Sequence, residues 1–183
     1  SCNSPVTESI RVVAELDTGE SRDVLLSNGE TVNLALLKVD VYRDSLRNAI
    51  RTALVTVSVD GEEVTLSAGN YNLPVAVGKV QIDCPVVKDY ATNSSRNIWA
   101  LEKDARFRLW PEGSPYIAPG TFGYPVKQDW LASMSQCGNE PTYVNMGENL
   151  ANKKIYYHEG HDIGGAEGMD EIVSATDGLG VSS

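Results

Sequence analysis

A period of two running through residues 53–67 constrains the fold more than any other feature of the chain. Val55, Val57 and Val59 alternate with Thr56, Ser58 and Asp60, and Val64 and Leu66 resume the alternation after Asp60-Gly61. Successive strand side chains point to opposite faces, so this spacing gathers the valines on one face. Asp-Gly tolerates the positive φ angles of a tight turn, and residues 53–67 are therefore predicted to form a hairpin. Val32 to Val41 and Val75 to Val87 are also rich in valine and leucine, are bounded by Gly, Asn or Pro, and suit strands. Pro74 and Pro85 fit strand ends or edges better than inner ladders, because proline has no N–H to donate. Residues 42–52 are ambiguous. Leu46, Ala49 and Ile50 have helical spacing, yet the piece runs straight into the valine hairpin, so it reads as a short helix or an extended lead-in.

These patterns predict an all-β chain whose residues 1–115 form a β-sandwich-like domain. Residues 110–125 hold four prolines and three glycines, which marks a rigid, kinked boundary. Residues 116–183 then form a second unit, in keeping with a length of 183 residues, which suits one domain or two small ones. Hydrophobic residues make up 42% and charged residues 22%, ordinary globular usage that argues against wholesale disorder. The 25 acidic and 15 basic residues leave a net charge of −10, which argues against binding a nucleic-acid backbone or an anionic membrane surface. No apolar run approaches the roughly 18 residues of a membrane span. Cys2, Cys84 and Cys137 match no zinc-ribbon spacing and allow either one disulfide or three thiols.

The segment that can carry chemistry is 153–181, KKIYYHEGHDIGGAEGMDEIVSATDGLGV. Ile155 to Tyr157 suit a strand ending at His158-Glu159-Gly160-His161-Asp162, and after the Gly164-Gly165 break Glu171 to Ala175 suit another, with Thr176-Asp177-Gly178 as a turn. Imidazole and carboxylate together are ordinary zinc ligands. A helix would place His158 and Asp162 one turn apart, but aromatic and β-branched neighbours and three glycines disfavour it. On a straight strand the two would stand about 13 Å apart, at roughly 3.3 Å per residue. Joint ligation therefore requires the chain to bend between them, and Gly160 is the position for the bend.

With these residues in place, the segment resembles the M23 (LytM/lysostaphin-like) zinc metallopeptidases. His158-x-Gly160-x-Asp162-Ile163-Gly164, the Gly168 loop, Ile172-Val173-x-Ala175 and Asp177-Gly178 follow the family's H-x-G-x-D-[IL] opening, glycine loop, V-x-A strand and D-G turn. Tyr124-Pro125-Val126 resembles the family's entry into its β-sheet core, so the likeness covers residues 124–183. It implies that 116–183 is the N-terminal portion of an M23-like antiparallel β-sheet domain, with His158 and Asp162 as zinc ligands. The family completes its site with a downstream H-x-H, whose second histidine is a ligand and whose first assists catalysis. No such pair occurs by Ser183, so the native chain is expected to continue, and no catalytic residue is assigned here. The implied activity is that of an exported zinc metallo-endopeptidase of a bacterial cell envelope or surface, acting on peptidoglycan peptides or another peptide. Two ligands alone would hold zinc poorly, and catalysis by these residues alone is not expected. The alternative is a non-catalytic extracellular β-protein that uses a degenerate M23-like module for binding, or for assembly into oligomers or filaments through an open sheet edge near Val181.

The remaining polar and aromatic positions read more simply. His161 suits a solvated loop. Glu159 is not the base of an H-E-x-x-H helix, because the fifth position is Asp162. Asn139-Glu140-Pro141 suits a turn before a Tyr143-Val144 strand. Glu167, Asp170 and Glu171 suit a solvated loop, lacking calcium-loop spacing. Trp99, Trp110 and Trp130 suit core or domain packing. Asn93-Ser94-Ser95 is a formal glycosylation sequon on a polar loop.

Overall fold

The computed structural model describes residues 10–94, 99–127, 135–136, 141–143, 155–158, 160–165 and 167–177. The readings of Cys2, Trp130, Cys137, Asn139-Glu140, Val144, Glu159 and Gly178 lie outside the described residues. In chain order the first eight strands are β1 (Val12–Leu16), β2 (Ser21–Leu25), β3 (Thr31–Arg43), β4 (Ile50–Val59), β5 (Glu62–Ser67), β6 (Val75–Val77), β7 (Val80–Val87) and β8 (Ala105–Pro111). One helix, α1 (Lys88–Asn93), links β7 to β8. They make two four-stranded antiparallel sheets, in the orders β1-β8-β7-β6 and β2-β3-β4-β5. The all-β expectation holds.

The period of two does what it should. In β4, Val55, Val57 and Val59 are buried while Thr56 and Ser58 are half-buried. The hairpin turns on Asp60 and Gly61, both at positive φ (51° and 90°), a conformation that Asp tolerates and Gly adopts freely. Leu34, Leu36, Val55, Val57 and Leu66 of one sheet share a single apolar core with Leu16, Val80, Ile82, Phe107 and Leu109 of the other. The two sheets therefore pack face to face as a sandwich.

Three local readings are resolved or corrected. Residues 44–49 are neither helix nor strand but a turn: Asp44 Oδ1 accepts the Arg47 N–H (2.6 Å), the Asp44 N–H reaches Ala49 O (2.9 Å), and Asn48 has φ 54°. The short acidic side chain captures a backbone donor and so competes with a helix, and Leu46 is left 77% exposed. The Val75–Val87 stretch is two paired strands, not one, because Gly78 (φ 54°) turns the chain between Val77 and Val80. Pro85 lies in β7, an inner strand, against the expectation of an end or edge. It sits inside the register shift between Asp83 and Val86, where no ladder N–H is demanded of it.

Carboxylates tie loops to the sandwich. Glu15 Oε1 accepts from Arg106 Nε at 2.8 Å, and Glu15 Oε2 accepts the Glu102 N–H at 2.9 Å. Burial pushes the Glu15 carboxyl up, but these donors outweigh it and hold the carboxyl below its ordinary range. The Thr18 N–H at 3.0 Å, with Lys88, does the same for Asp104. A carboxyl depressed on folding contributes stability that is complete above its unfolded pKa, near 4, and is lost as pH falls through the lower folded value. The urea midpoint is thus expected to fall between pH 5 and pH 3, and Glu15→Gln should lower the midpoint at pH 7 and flatten that fall. An unchanged slope in the variant would show that Glu15 contributes nothing to the acid transition.

Beyond β8 the chain forms β9 (Ser135–Gln136), β10 (Pro141–Tyr143), β11 (Ile155–Tyr157) and β12 (Asp162–Ile163). β10 pairs with β11 and β9 with β12, both antiparallel, and Val126 bridges Ile172. Backbone bonds flank that bridge: Gly123 N–H to Ala175 O, Lys127 N–H to Glu171 O and Val173 N–H to Pro125 O. The predicted 171–175 strand is thus reduced to one bridge with flanking bonds. Every pairing shares one register. From Gly123 opposite Ala175 to Tyr143 opposite Ile155, each step forward on one arm matches one step back on the other. The described pairings thus have a common antiparallel alignment.

Candidate functional site

β11 is anchored to the sandwich one residue before His158. Ile155 and Tyr157 are 1% and 0% exposed and belong to the sandwich core, while Tyr156 between them is half-buried, as strand alternation requires. Tyr157 Oη accepts the N–H of Ile50 at 3.0 Å and donates to Asn93 Oδ1 at 2.8 Å. Its ring meets that of Tyr90 edge-on, with centroids 4.8 Å apart at 88°. Ser94 bridges Ile155 in parallel and is buried, so Asn93 and Ser94 of the sequon serve this joint.

His158 leaves the strand half-buried, with an 18% exposed side chain, and the chain bends at Gly160 before β12. The bend brings together the pair that the sequence singles out: His158 Nε2 lies 3.0 Å from Asp162 Oδ2. A straight strand would hold them about 13 Å apart. His161 is exposed and makes no part of this contact. Gly160 does not sit at positive φ, and a Cβ built on it meets nothing within 4 Å. The bend therefore does not depend on glycine's special freedom. Gly160→Ala is expected to change stability by less than about 1 kcal/mol and to leave the His158–Asp162 contact intact, read by denaturant midpoint and by the His158 ring resonances. A larger loss would mean that backbone entropy or strain at this bend matters more than the geometry indicates.

One further residue at the site carries no signal in the sequence. Tyr71, in the 68–74 connection that crosses from one sheet to the other, donates its hydroxyl proton to Gly160 O. Its oxygen also lies 3.4 Å from His158 Nδ1, with the two rings 13° from parallel and their centroids 6.4 Å apart. The connection is itself tied down, with Gly69 N–H bonded to Cys84 O (2.9 Å) and Asn72 Nδ2 to Ser67 O (2.9 Å). Tyr71 also lines a cleft of about 210 Å³ with Arg51, Thr52, Ser67, Asn72 and Tyr90.

His158 and Asp162 form a hydrogen-bonded imidazole–carboxylate pair, and both are residue types that can ligate zinc. Two ligands on a tetrahedral zinc ion stand about 3.3 Å apart when each bond is near 2.0–2.1 Å, close to the separation of Nε2 and Oδ2. Among the described residues, however, no three His, Cys, Asp or Glu are grouped so as to hold an ion. Glu171 reaches Lys127 Nζ at 2.7 Å in an exposed ion pair. Trp110 is buried against Tyr116, and Trp99 packs on the core. Cys84 is a buried free thiol, and burial pushes its pKa up, away from reactivity. No helix among the described residues is long and apolar enough to cross a membrane. Comparison with family models, with curated proteins and with solved structures finds no match.

Proposed function

We propose that this chain is part of an exported bacterial zinc metallo-endopeptidase resembling the M23 peptidoglycan hydrolases, in which His158 and Asp162 hold the metal. The observation that supports this most is the 3.0 Å approach of Nε2 to Oδ2 across a bend that a plain strand would not make. A bound zinc would polarise a peptide carbonyl and lower the pKa of its water. His158 and Asp162 would bind and orient that ion, with its other ligands supplied by groups beyond this pair. The cleft beside Tyr71 is lined by hydroxyl, amide and guanidinium groups, which suit the polar backbone of a peptide.

Elemental analysis and zinc titration of the purified chain test this, with His158→Ala and Asp162→Ala as comparisons. Zinc binding by the two residues alone is expected to be weak in the wild type and lost in both variants. Absence of zinc from a folded wild-type chain would overturn the metal reading.

The second reading, a non-catalytic β-module for binding or assembly, draws on Met169 and Ile172, which are 82% and 81% exposed on the 167–177 segment. Sedimentation velocity decides it. Self-association lost on Ile172→Lys would favour assembly, and a monomer at high concentration would count against it.

A further inference from the structure

We propose that the cleft beside Tyr71 binds the terminal carboxylate of a short peptide, with Arg51 as the residue that recognises it. This deepens the peptide reading of the cleft and rests on it, with no metal required. The cleft lies where a ladder stops. β5 leaves β4 after the Leu54–Ser67 pair, with the Ala68 N–H still reaching Ala53 O at 2.8 Å, whereas β4 begins at Ile50. Arg51 and Thr52 of that overhang line the cleft with the 67–72 connection and with Tyr90 of α1.

The chemistry of the walls selects the ligand. Among the described residues lining the cleft, Arg51 is the only charged one and no carboxylate is present, in a chain with 25 acidic and 15 basic residues. A guanidinium carries five N–H donors in a fork that matches a carboxylate and can serve more than one acceptor. Arg51 already takes one carboxylate, since its Nε donates to Asp44 Oδ2 at 3.1 Å. That pair is exposed, so it contributes little and competes weakly with an incoming anion. The net charge of −10 disfavours a multiply charged anion and leaves a single carboxylate as the better match. The walls are held before a ligand arrives. Asn72 Nδ2 bonds Ser67 O at 2.9 Å, the Gly69 N–H bonds Cys84 O at 2.9 Å, and the Tyr71 hydroxyl donates to Gly160 O. Tyr90 is buried with its ring edge-on to Tyr157. Preformed polar groups lose little freedom on binding. A volume of about 210 Å³ holds about seven waters at roughly 30 Å³ each, so the cleft admits the end of a peptide and not a folded partner.

The test is titration of the full chain with N-acetylglycine, N-acetylglycinamide and acetate, followed by nitrogen-15 spectra at low and high salt. N-acetylglycine should bind with a dissociation constant of about 1–10 mM, shift the Arg51, Gly69 and Tyr71 amides, and bind more weakly at high salt. The uncharged amide should bind roughly tenfold less tightly, and Arg51→Gln should weaken the acid by a similar factor. Asp44→Asn keeps Arg51 and removes the competing carboxylate, so it should bind at least as tightly as the wild type. Equal loss in Asp44→Asn would trace the effect to the 44–49 turn and overturn the role of Arg51. Acetate lacks the peptide unit and should bind more weakly; equal binding would overturn the peptide end in favour of any small acid. If the acid and its amide bind alike, carboxylate recognition is overturned while the peptide reading of the cleft stands. If neither binds, that reading fails and the inference fails with it.

Discussion

Replacing Asp83 with alanine is expected to destabilise the sandwich by about 3–5 kcal/mol, read as a drop in the urea midpoint at unchanged slope. Asp83 is 1% exposed, and Arg108 on the adjacent strand grips it with two bonds, Nη2 to Oδ2 at 2.5 Å and Nε to Oδ1 at 2.8 Å. The guanidinium is only 14% exposed, and it also donates to Tyr116 Oη at 3.2 Å while lying 5.8 Å from the Trp110 ring centroid. Burial opposes the charge on Arg108, yet the Asp83 carboxylate outweighs it and raises the guanidinium's pKa. Removing Asp83 would leave a desolvated cation with a phenol and a ring face in place of a carboxylate. The cost lies in that orphaned charge more than in the lost attraction. Asp83→Leu with Arg108→Met should therefore recover most of the loss. A double variant as unstable as Asp83→Ala would show that the pair, and not the desolvated charge, carries the energy.

The sandwich was legible in the sequence where one rule acted alone. Val55, Val57 and Val59 alternate because their strand has one buried face, and Asp60-Gly61 turns because only such residues accept both φ angles easily. Residues 42–52 were not legible, because the helical spacing of Leu46, Ala49 and Ile50 competes with a side-chain bond from Asp44 that no periodicity reveals. Pro85 misleads for a related reason: its cost in a ladder vanishes at a bulge, and a bulge leaves no mark in composition. At the site, the sequence singled out His158 and Asp162 by residue type and spacing, and also the need for a bend. Tyr71 and Asn93 were invisible. Each acts across more than sixty residues on a partner at or just after β11, and a lone tyrosine in a turn or an asparagine in a sequon looks the same with or without that partner. Long-range polar contacts are set by how sheets fold over one another, and one strand's pattern does not contain that information.

Replacing Tyr157 with alanine should have the other large effect, about 3–5 kcal/mol, because it empties a fully buried aromatic position in the shared core. Tyr157→Phe separates packing from polarity. It keeps the ring against Tyr90 but takes away the acceptor for the Ile50 N–H and the donor for Asn93 Oδ1, at a cost of about 1–3 kcal/mol. Amide hydrogen exchange distinguishes the two contributions. In Tyr157→Phe the Ile50 amide should exchange faster while neighbouring β4 amides stay protected, since only that bond is lost. In Tyr157→Ala, protection should fall along β11 as well, because Ile155 and Tyr157 of β11 are built into the sandwich core. His158 follows directly, so its approach to Asp162 should loosen in the alanine variant and persist in the phenylalanine variant. An Ile50 amide that keeps its protection in Tyr157→Phe would show that the phenol is not its acceptor, and would remove the anchor on which the placement of His158 depends.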